Sequence, residues 1–403
     1  MTSSAEKQPA VLGGLPAFPQ GLPLLKPTLP PFDTVGPRWS ACFATGTMTK
    51  GPALAEYERR IAEHLGVRHA LGVSSCTSGL ILALDRYRGR RAVLPSFTFM
   101  ATAMAASWAG LEPVFCDVDP DTWCLDPARV EETLDREGIG SDDGLILPVH
   151  VFGSPANMSA LDDLARRRGL PIIYDAAHGF GARAGDRPVG GQGDAQVFST
   201  SPTKLLITGE GGVVATNDDD LATHVRVGRE YGNPGSYDAP FVGLNARLPE
   251  ASALLGLASL ELLETEARRR NELALVYREE LAAVPGITFQ RIPTENRSSY
   301  KDLSITVGPG FGLSRDQLVD TLAAEGIPSR CYYVPPAHRL TAFAAGHAPA
   351  EAYLPVTARL VEQIVSLPLY GSLTDEQVRI IAASVRAAHA QARALGQALR
   401  TGN

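Results

Sequence analysis

Between residues 70 and 174 the chain repeats one rhythm, and that rhythm excludes most folds. Short apolar runs at Ala70–Val73, Ala92–Leu94, Pro113–Val118, Leu145–Val149 and Pro171–Tyr174 read as strands. Amphipathic stretches at about Leu80–Tyr87, Phe99–Ala109, Pro127–Leu134 and Met158–Arg168 read as the helices between them. Short apolar strands alternating with helices imply β-α-β units and an α/β fold, with a mostly parallel sheet flanked by helices. Ligands of such sheets bind beyond the carboxyl ends of the strands. After Gly212-Val213-Val214-Ala215 the rhythm changes to a long helix from about Pro249 to Ala283. Strands near Leu303–Val307 and Ser329–Val334 follow, with a helix at Ser314–Glu325 between them and a final helix from Thr374. The expected organisation is a Pro-, Gly- and Leu-rich arm over 1–36, a large domain over 37–263, and a smaller C-terminal α/β domain over 264–403.

Composition narrows the function. The 403 residues are 44% hydrophobic and 20% charged, the balance of a globular chain. The net charge of −7 gives no pull toward nucleic acid or an anionic membrane, so neither is expected as a partner. Five cysteines (Cys42, Cys76, Cys116, Cys124, Cys331) contain no C-x-x-C pair, which argues against a disulfide framework and a structural zinc site. No basic-then-apolar leader opens the chain and no run has the length of a membrane span. The expected location is the cytoplasm.

Chemistry is sought at the strand ends. Ile172-Ile173-Tyr174 runs into Asp175-Ala176-Ala177-His178, which points a carboxylate into the ligand crevice; alone, Asp175 would read as a helix N-cap. Phe198-Ser199-Thr200-Ser201-Pro202-Thr203-Lys204 follows, then Gly209-Glu210-Gly211-Gly212. Pyridoxal phosphate needs a lysine for a Schiff base and an acid for its pyridinium nitrogen. It also needs amides and hydroxyls at a helix N-terminus for its phosphate, and an aromatic face for its ring. Lys204 and Asp175 supply the first two. Ser75-Cys76-Thr77-Ser78-Gly79, between a strand and a helix, supplies the third, and Phe97 or Phe99 the fourth.

Taken together, these pieces resemble the DegT/DnrJ/StrS-type aminotransferases, fold type I pyridoxal phosphate enzymes that act mainly on keto-sugars and keto-cyclitols. The resemblance runs from Leu12-Gly13-Gly14 to Ser366-Leu367-Pro368-Leu369-Tyr370. It rests chiefly on Pro95-Ser96-Phe97-Thr98-Phe99-Met100-Ala101-Thr102, Asp175-Ala176-Ala177-His178, Ser199 with Lys204, and the glycine turn at 209–212. Weaker support comes from Gly243–Leu248 and from Tyr333-x-Pro335 with His338. It implies Lys204 as the Schiff-base lysine, Asp175 as partner of the ring nitrogen, and Phe99 as the stacking aromatic. It places Thr77, Ser78 and Ser199 on the phosphate, His178 beside the cofactor, and Asn245 on the phosphate of a neighbouring subunit, which implies a homodimer with shared active sites. The implied reaction moves an amino group from glutamate or glutamine to a keto-sugar, nucleotide-linked, or to a keto-cyclitol. Secondary-metabolite or surface-sugar biosynthesis is the implied setting. Arg183, Arg187, Arg330, Tyr332, Tyr333 and His338 are the candidates for holding the acceptor.

Two positions depart from the family pattern: Cys76, where a glycine is usual, and Thr200, where an aromatic is usual. Rival readings are weaker. A dinucleotide dehydrogenase needs G-x-G-x-x-G after the first strand, and neither glycine-rich stretch fits that spacing. A metal site from His150, His178 and Asp175 competes with ordinary buried histidines, and Cys76 as a nucleophile has no evident base. Another family chemistry, such as dehydration, replaces the lysine with histidine, so Lys204 favours transamination over it. A regulatory protein that only binds the cofactor is the remaining alternative.

Overall fold

The computed structural model describes residues 8–344 and 352–401. Residues 1–7 of the expected arm, with 345–351 and 402–403 of the expected C-terminal domain, lie outside the described residues. The central sheet has the strand order His69–Val73, Gly212–Thr216, Ala195–Ser199, Ile173–Asp175, Gly144–Ile146, Arg91–Pro95 and Glu112–Cys116. Parallel bridges from Ile146 to Ile172 and from Val149 to Asp175 join its two halves. Gly212–Thr216 is antiparallel to both neighbours, and the other pairings are parallel. Every residue of Ala195–Ser199 and Gly212–Thr216 is buried, as a sheet covered by helices on both faces requires.

The helix after the first strand begins earlier than its apolar pattern suggests. It runs Cys76–Leu84, and a 3-10 turn covers Asp85–Tyr87. Ser75 and Ser78 form a reciprocal capping box that fixes the start directly behind the strand. Helices at Met100–Trp108, Pro127–Glu137 and Met158–Arg168 return the chain between strands as the rhythm implied.

Glu250–Leu281 is one helix of 32 residues, about 48 Å long at 1.5 Å per residue. Its first half buries Leu254, Leu257 and Leu263 in the central core, and its second half buries Leu273, Tyr277 and Leu281 in a second core. That second core lies on an antiparallel sheet of Ile287–Phe289, Leu303–Val307 and Ile364–Leu367. The stretch 329–334, expected as a strand, is not one. Only Arg330 pairs, exchanging both backbone hydrogen bonds with Ser366, and Pro328 and Pro335 deny the flanking amides a ladder. The strand that completes the sheet, Ile364–Leu367, follows the helix Pro355–Gln363 without a break.

Residues 8–31 are irregular apart from a turn at Ala10–Leu12. Glu325 pins them, accepting from Ala10 N at 2.7 Å and Ala17 N at 2.8 Å. A helix already starts at Phe32, inside the stretch expected as arm. No helix among the described residues is long and apolar enough to cross a membrane.

Candidate active site

At the carboxyl ends of the central strands lies a cavity of about 430 Å³. Lys204, Asp175, His178, Thr77, Ser199 and Phe99, drawn from four separate segments, all line it. Each is placed by local structure. Asp175 ends a buried parallel strand. Thr77 is in the first turn of Cys76–Leu84, where the amides of Cys76 and Thr77 have no intrahelical acceptor. Gly212 lets the seat close: a Cβ there would sit 2.6 Å from Cys76 N and 2.8 Å from Phe198 O.

Asp175 is 4% exposed. Its Oδ2 accepts from Thr102 Oγ1 at 2.7 Å and its Oδ1 from Ala177 N at 3.0 Å. Burial pushes its pKa up, while the two hydrogen bonds and the Lys204 charge oppose that rise. Lys204 Nζ forms no hydrogen bond or ion pair among the described residues. Burial, and then the nearby Lys301 cation, push its amine down to about 8. His178 is held neutral by burial and by the same two cations, and its Nδ1 is buried without a hydrogen-bond partner among the described residues.

Other candidates sort by where the chain puts them. Arg330, Tyr332 and Tyr333 line the cavity. Ser78 does not, because its hydroxyl accepts from Ser75 N and donates to Ser75 O in the capping box. Arg183 and Arg187 lie outside, on a small hairpin where Arg183 bonds Asp186 O. His338 is buried behind the site, its Nδ1 2.6 Å from Ser96 Oγ. Asn245 is exposed and does not line its own chain's cavity, and it does not cap the long helix, which has Pro249 at its N-cap with no side-chain cap. His150 is a satisfied core histidine, accepting from Ala156 N and stacked on Tyr174.

The two departures from the family pattern have structural answers. Cys76 turns its thiol beneath the helix, to 3.4 Å from Val197 O and 3.9 Å from Asp175 Oδ1. Burial raises its pKa well above the usual thiol range, so it stays a thiol rather than a nucleophilic thiolate. Thr200 bonds Thr208 Oγ1 at 2.7 Å and does not line the cavity.

Three lining groups escaped the sequence reading. Lys301 and Asp302 form a buried ion pair in the wall, and Leu25 of the arm reaches the rim. Lys301 and Asp302 belong to no motif, and only the chain's return from the second sheet brings them here. A larger cavity of about 560 Å³, between residues 119–127 and 291–296, contains none of the site residues. Size therefore does not mark the site; convergent chemistry does.

Pyridoxal phosphate suits this set of groups. A phosphate dianion matches the helix N-terminus with Ser75, Thr77 and Ser199. A buried carboxylate without a cationic salt-bridge partner matches a pyridinium, a lysine without a partner matches an aldehyde, and the orphaned His178 nitrogen matches a ligand contact.

Comparison with known proteins agrees. The model of the DegT/DnrJ/EryC1/StrS aminotransferase family matches residues 37–386. GDP-perosamine synthase of Caulobacter vibrioides is 33% identical over 340 residues, covering 83% of this chain and 89% of the relative. The dTDP-3-amino-3,4,6-trideoxy-alpha-D-glucose transaminase of Streptomyces venezuelae is 34% identical over 346 residues, covering 85% and 88%. Among solved structures, DesI crystallised with its TDP-sugar product aligns over 98% of this chain and all of that one, at 33% identity and a TM-score of 0.89. The chain therefore belongs to the DegT/DnrJ/EryC1/StrS aminotransferase family, with the fold type I architecture of pyridoxal-phosphate-dependent transaminases.

Proposed function

We propose that this chain transfers an amino group from glutamate or glutamine to the ketone of a nucleotide-linked sugar, or of a keto-cyclitol, with pyridoxal phosphate held by Lys204, Asp175 and the Cys76–Leu84 helix N-terminus. The observation that carries this reading is the convergence of Lys204 and the buried Asp175 on one cavity beside a helix N-terminus. When bound, the cofactor supplies a ring that accepts the electrons left on carbon when a proton is removed. Asp175, as the carboxylate, holds the ring nitrogen in its protonated form. Lys204 Nζ takes the proton from the α-carbon of the donor, and in the second half-reaction returns a proton to the former carbonyl carbon of the acceptor. An amine pushed down to about 8 is close to the working range of such a base. Phe99, Tyr332 and Tyr333 give the cavity an aromatic wall that excludes water. Arg330 also lines the adjoining cavity of about 290 Å³ and has no carboxylate within ion-pair distance among the described residues. It suits the carboxylate of a donor or the phosphates of a nucleotide.

The reading extends to a homodimer. Asn245 is exposed, and Tyr237 and Val242 nearby are 97% and 85% exposed. Apolar side chains so open fit an interface across which Asn245 reaches the partner's cofactor phosphate.

Lys204→Ala should abolish turnover and the visible absorbance of the lysine-bound cofactor; wild-type turnover in that variant overturns the assignment. A coupled assay with glutamate and glutamine against nucleotide keto-sugars and inososes tests the acceptor. Activity confined to simple 2-keto acids would replace this acceptor class.

A further inference from the structure

Lys204 stands on a connection that the sheet alone would leave loose. Ala195–Ser199 and Gly212–Thr216 are antiparallel neighbours, and their ladder ends at the pair Ser199 and Gly212. Residues 200–211 leave one strand and return to the other with no helix or strand between them. Five of these residues, Ser201, Thr203, Lys204, Glu210 and Gly211, line the cavity. Irregular connections are the mobile parts of a fold, so whatever closes the base of this one decides where Lys204 stands.

Two threonines close it. Thr200 N donates to Gly211 O at 3.0 Å, and Thr208 N donates to Thr200 O at 2.9 Å. Beside these backbone bonds, Thr200 Oγ1 and Thr208 Oγ1 meet at 2.7 Å, and Thr208 Oγ1 lies 3.1 Å from Glu210 O. Glu210 O can only accept, so the Thr208 hydroxyl donates to it and the Thr200 hydroxyl donates to Thr208. The other carbonyl in reach, Thr200 O, is farther from Thr208 Oγ1, at 3.3 Å, and already accepts from Thr208 N. Both side chains are buried, so no water competes for these bonds.

The surroundings are cut to this pair. A Cβ on Gly211 would lie 2.7 Å from Thr200 Oγ1 and closer still to Thr208 Oγ1. A Cβ on Gly256 of the long helix would lie 2.6 Å from the Tyr57 ring and 2.8 Å from Thr208 Cγ2. The stretch between the threonines is anchored as well. Lys204 N donates to Ser201 O, Ile207 N donates to Ser259 Oγ on the long helix at 3.0 Å, and Leu205, Leu206 and Ile207 are buried.

We propose that Thr200 and Thr208 are positioning residues for the transfer reaction: their paired hydroxyls clasp the two ends of the 200–211 connection and so set where Lys204 Nζ stands relative to Asp175 and the helix N-terminus. Neither threonine lines the cavity, so both act through the backbone. The proposal rests on Lys204 being the residue that bonds the cofactor. That amine must both bond the cofactor and carry a proton, and a misplacement of about 1 Å in such a group costs up to about a hundredfold in rate.

The test follows Lys204 without donor or acceptor. Pyridoxal phosphate is added to the cofactor-free full chain, and visible absorbance reports Lys204 Nζ joining the aldehyde carbon with loss of water. Borohydride then delivers hydride to the new carbon–nitrogen double bond, and peptide mass spectrometry locates the permanent link. Thr208→Val keeps the branched shape and removes the hydroxyl, so link formation should slow by about tenfold or more, and kcat should fall by a similar factor with KM little changed. Thr208→Ser returns the hydroxyl and should recover both rates. Thr200→Val should match Thr208→Val, and the double variant should be no slower than either, because one clasp is lost only once. Wild-type rates in folded Thr208→Val, equal rates in Thr208→Val and Thr208→Ser, or losses that multiply in the double variant overturn the proposal. If Thr208→Val does not fold, Thr200→Val against Thr200→Ser carries the comparison, and equal rates overturn it. A link found on another lysine refutes the assignment of Lys204 on which the proposal rests, whereas a link on Lys204 formed at the wild-type rate refutes the clasp alone.

Discussion

Gly212→Ala probes how the phosphate seat is built. Gly212 opens its strand opposite Val73 on one side and Ser199 on the other. A Cβ there would lie 2.6 Å from Cys76 N, 2.6 Å from Ser75 C and 2.8 Å from Phe198 O, all backbone atoms. Carbon contacts relax to about 3.5 Å, so the methyl is short of space by nearly 1 Å against neighbours that cannot rotate away. Overpacking of this kind costs about 1–3 kcal/mol, and backbone neighbours place it at the upper end. The least constrained response is a shift of the helix start at Ser75–Thr77, which are cavity-lining residues. If about 3 kcal/mol fell wholly on the loaded state, cofactor affinity would drop by roughly two orders of magnitude. Gly209→Ala is the control: its φ of +86° strains an alanine by about 1–2 kcal/mol, but nothing lies within 4 Å of the new methyl. Urea midpoints and cofactor dissociation, measured by absorbance after dialysis, should separate the two. Gly212→Ala should lose at least tenfold more cofactor affinity than Gly209→Ala. Equal cofactor affinity in the two variants would refute the claim that this contact sets the seat.

Two further perturbations act on the same site. Thr102→Val keeps shape but removes the donor 2.7 Å from Asp175 Oδ2; a hydrogen bond to a charged group is worth about 1.5–3 kcal/mol, or about one to two pH units. Burial already raises the pKa of Asp175 and this loss raises it further, so the active carboxylate disappears at higher pH as acid is added. The acid limb of kcat/KM should move up by roughly one unit, and an unmoved limb would contradict the role of Thr102. Asn245→Asp sets a negative charge where the proposed dimer presents an amide to the partner's phosphate. Cofactor retention should fall while the fold is kept, and a fully active monomer or unchanged retention counts against the shared site.

What the sequence discloses about this site depends on how far apart in the chain its parts are. Asp175 and Lys204 were legible because each sits in a short segment whose neighbours, a buried strand before and a turn after, dictate where its side chain goes. The phosphate seat was legible for the same reason, although the true helix start at Cys76 was hidden because helical periodicity is carried by the apolar residues from Leu80 onward. Arg183 and His338 mark the limit of that reasoning. Both were chosen for polarity near a recognisable stretch, yet a hairpin turns Arg183 away, and the Ser96 hydroxyl, 242 positions earlier, bonds His338 Nδ1. Residues 329–334 show another limit: a run of aromatic and β-branched residues imitates a strand, while its prolines and single bridge make it a cavity wall. Lys301 and Asp302 were illegible in principle. Their position depends on hydrogen bonds from Lys301 and Ser299 to Phe152 and Gly153, nearly 150 residues earlier, across the path from the second sheet. A side chain placed by such contacts can share a recess with Lys204 without being near it in sequence, so residues of this kind are the ones a motif search passes over.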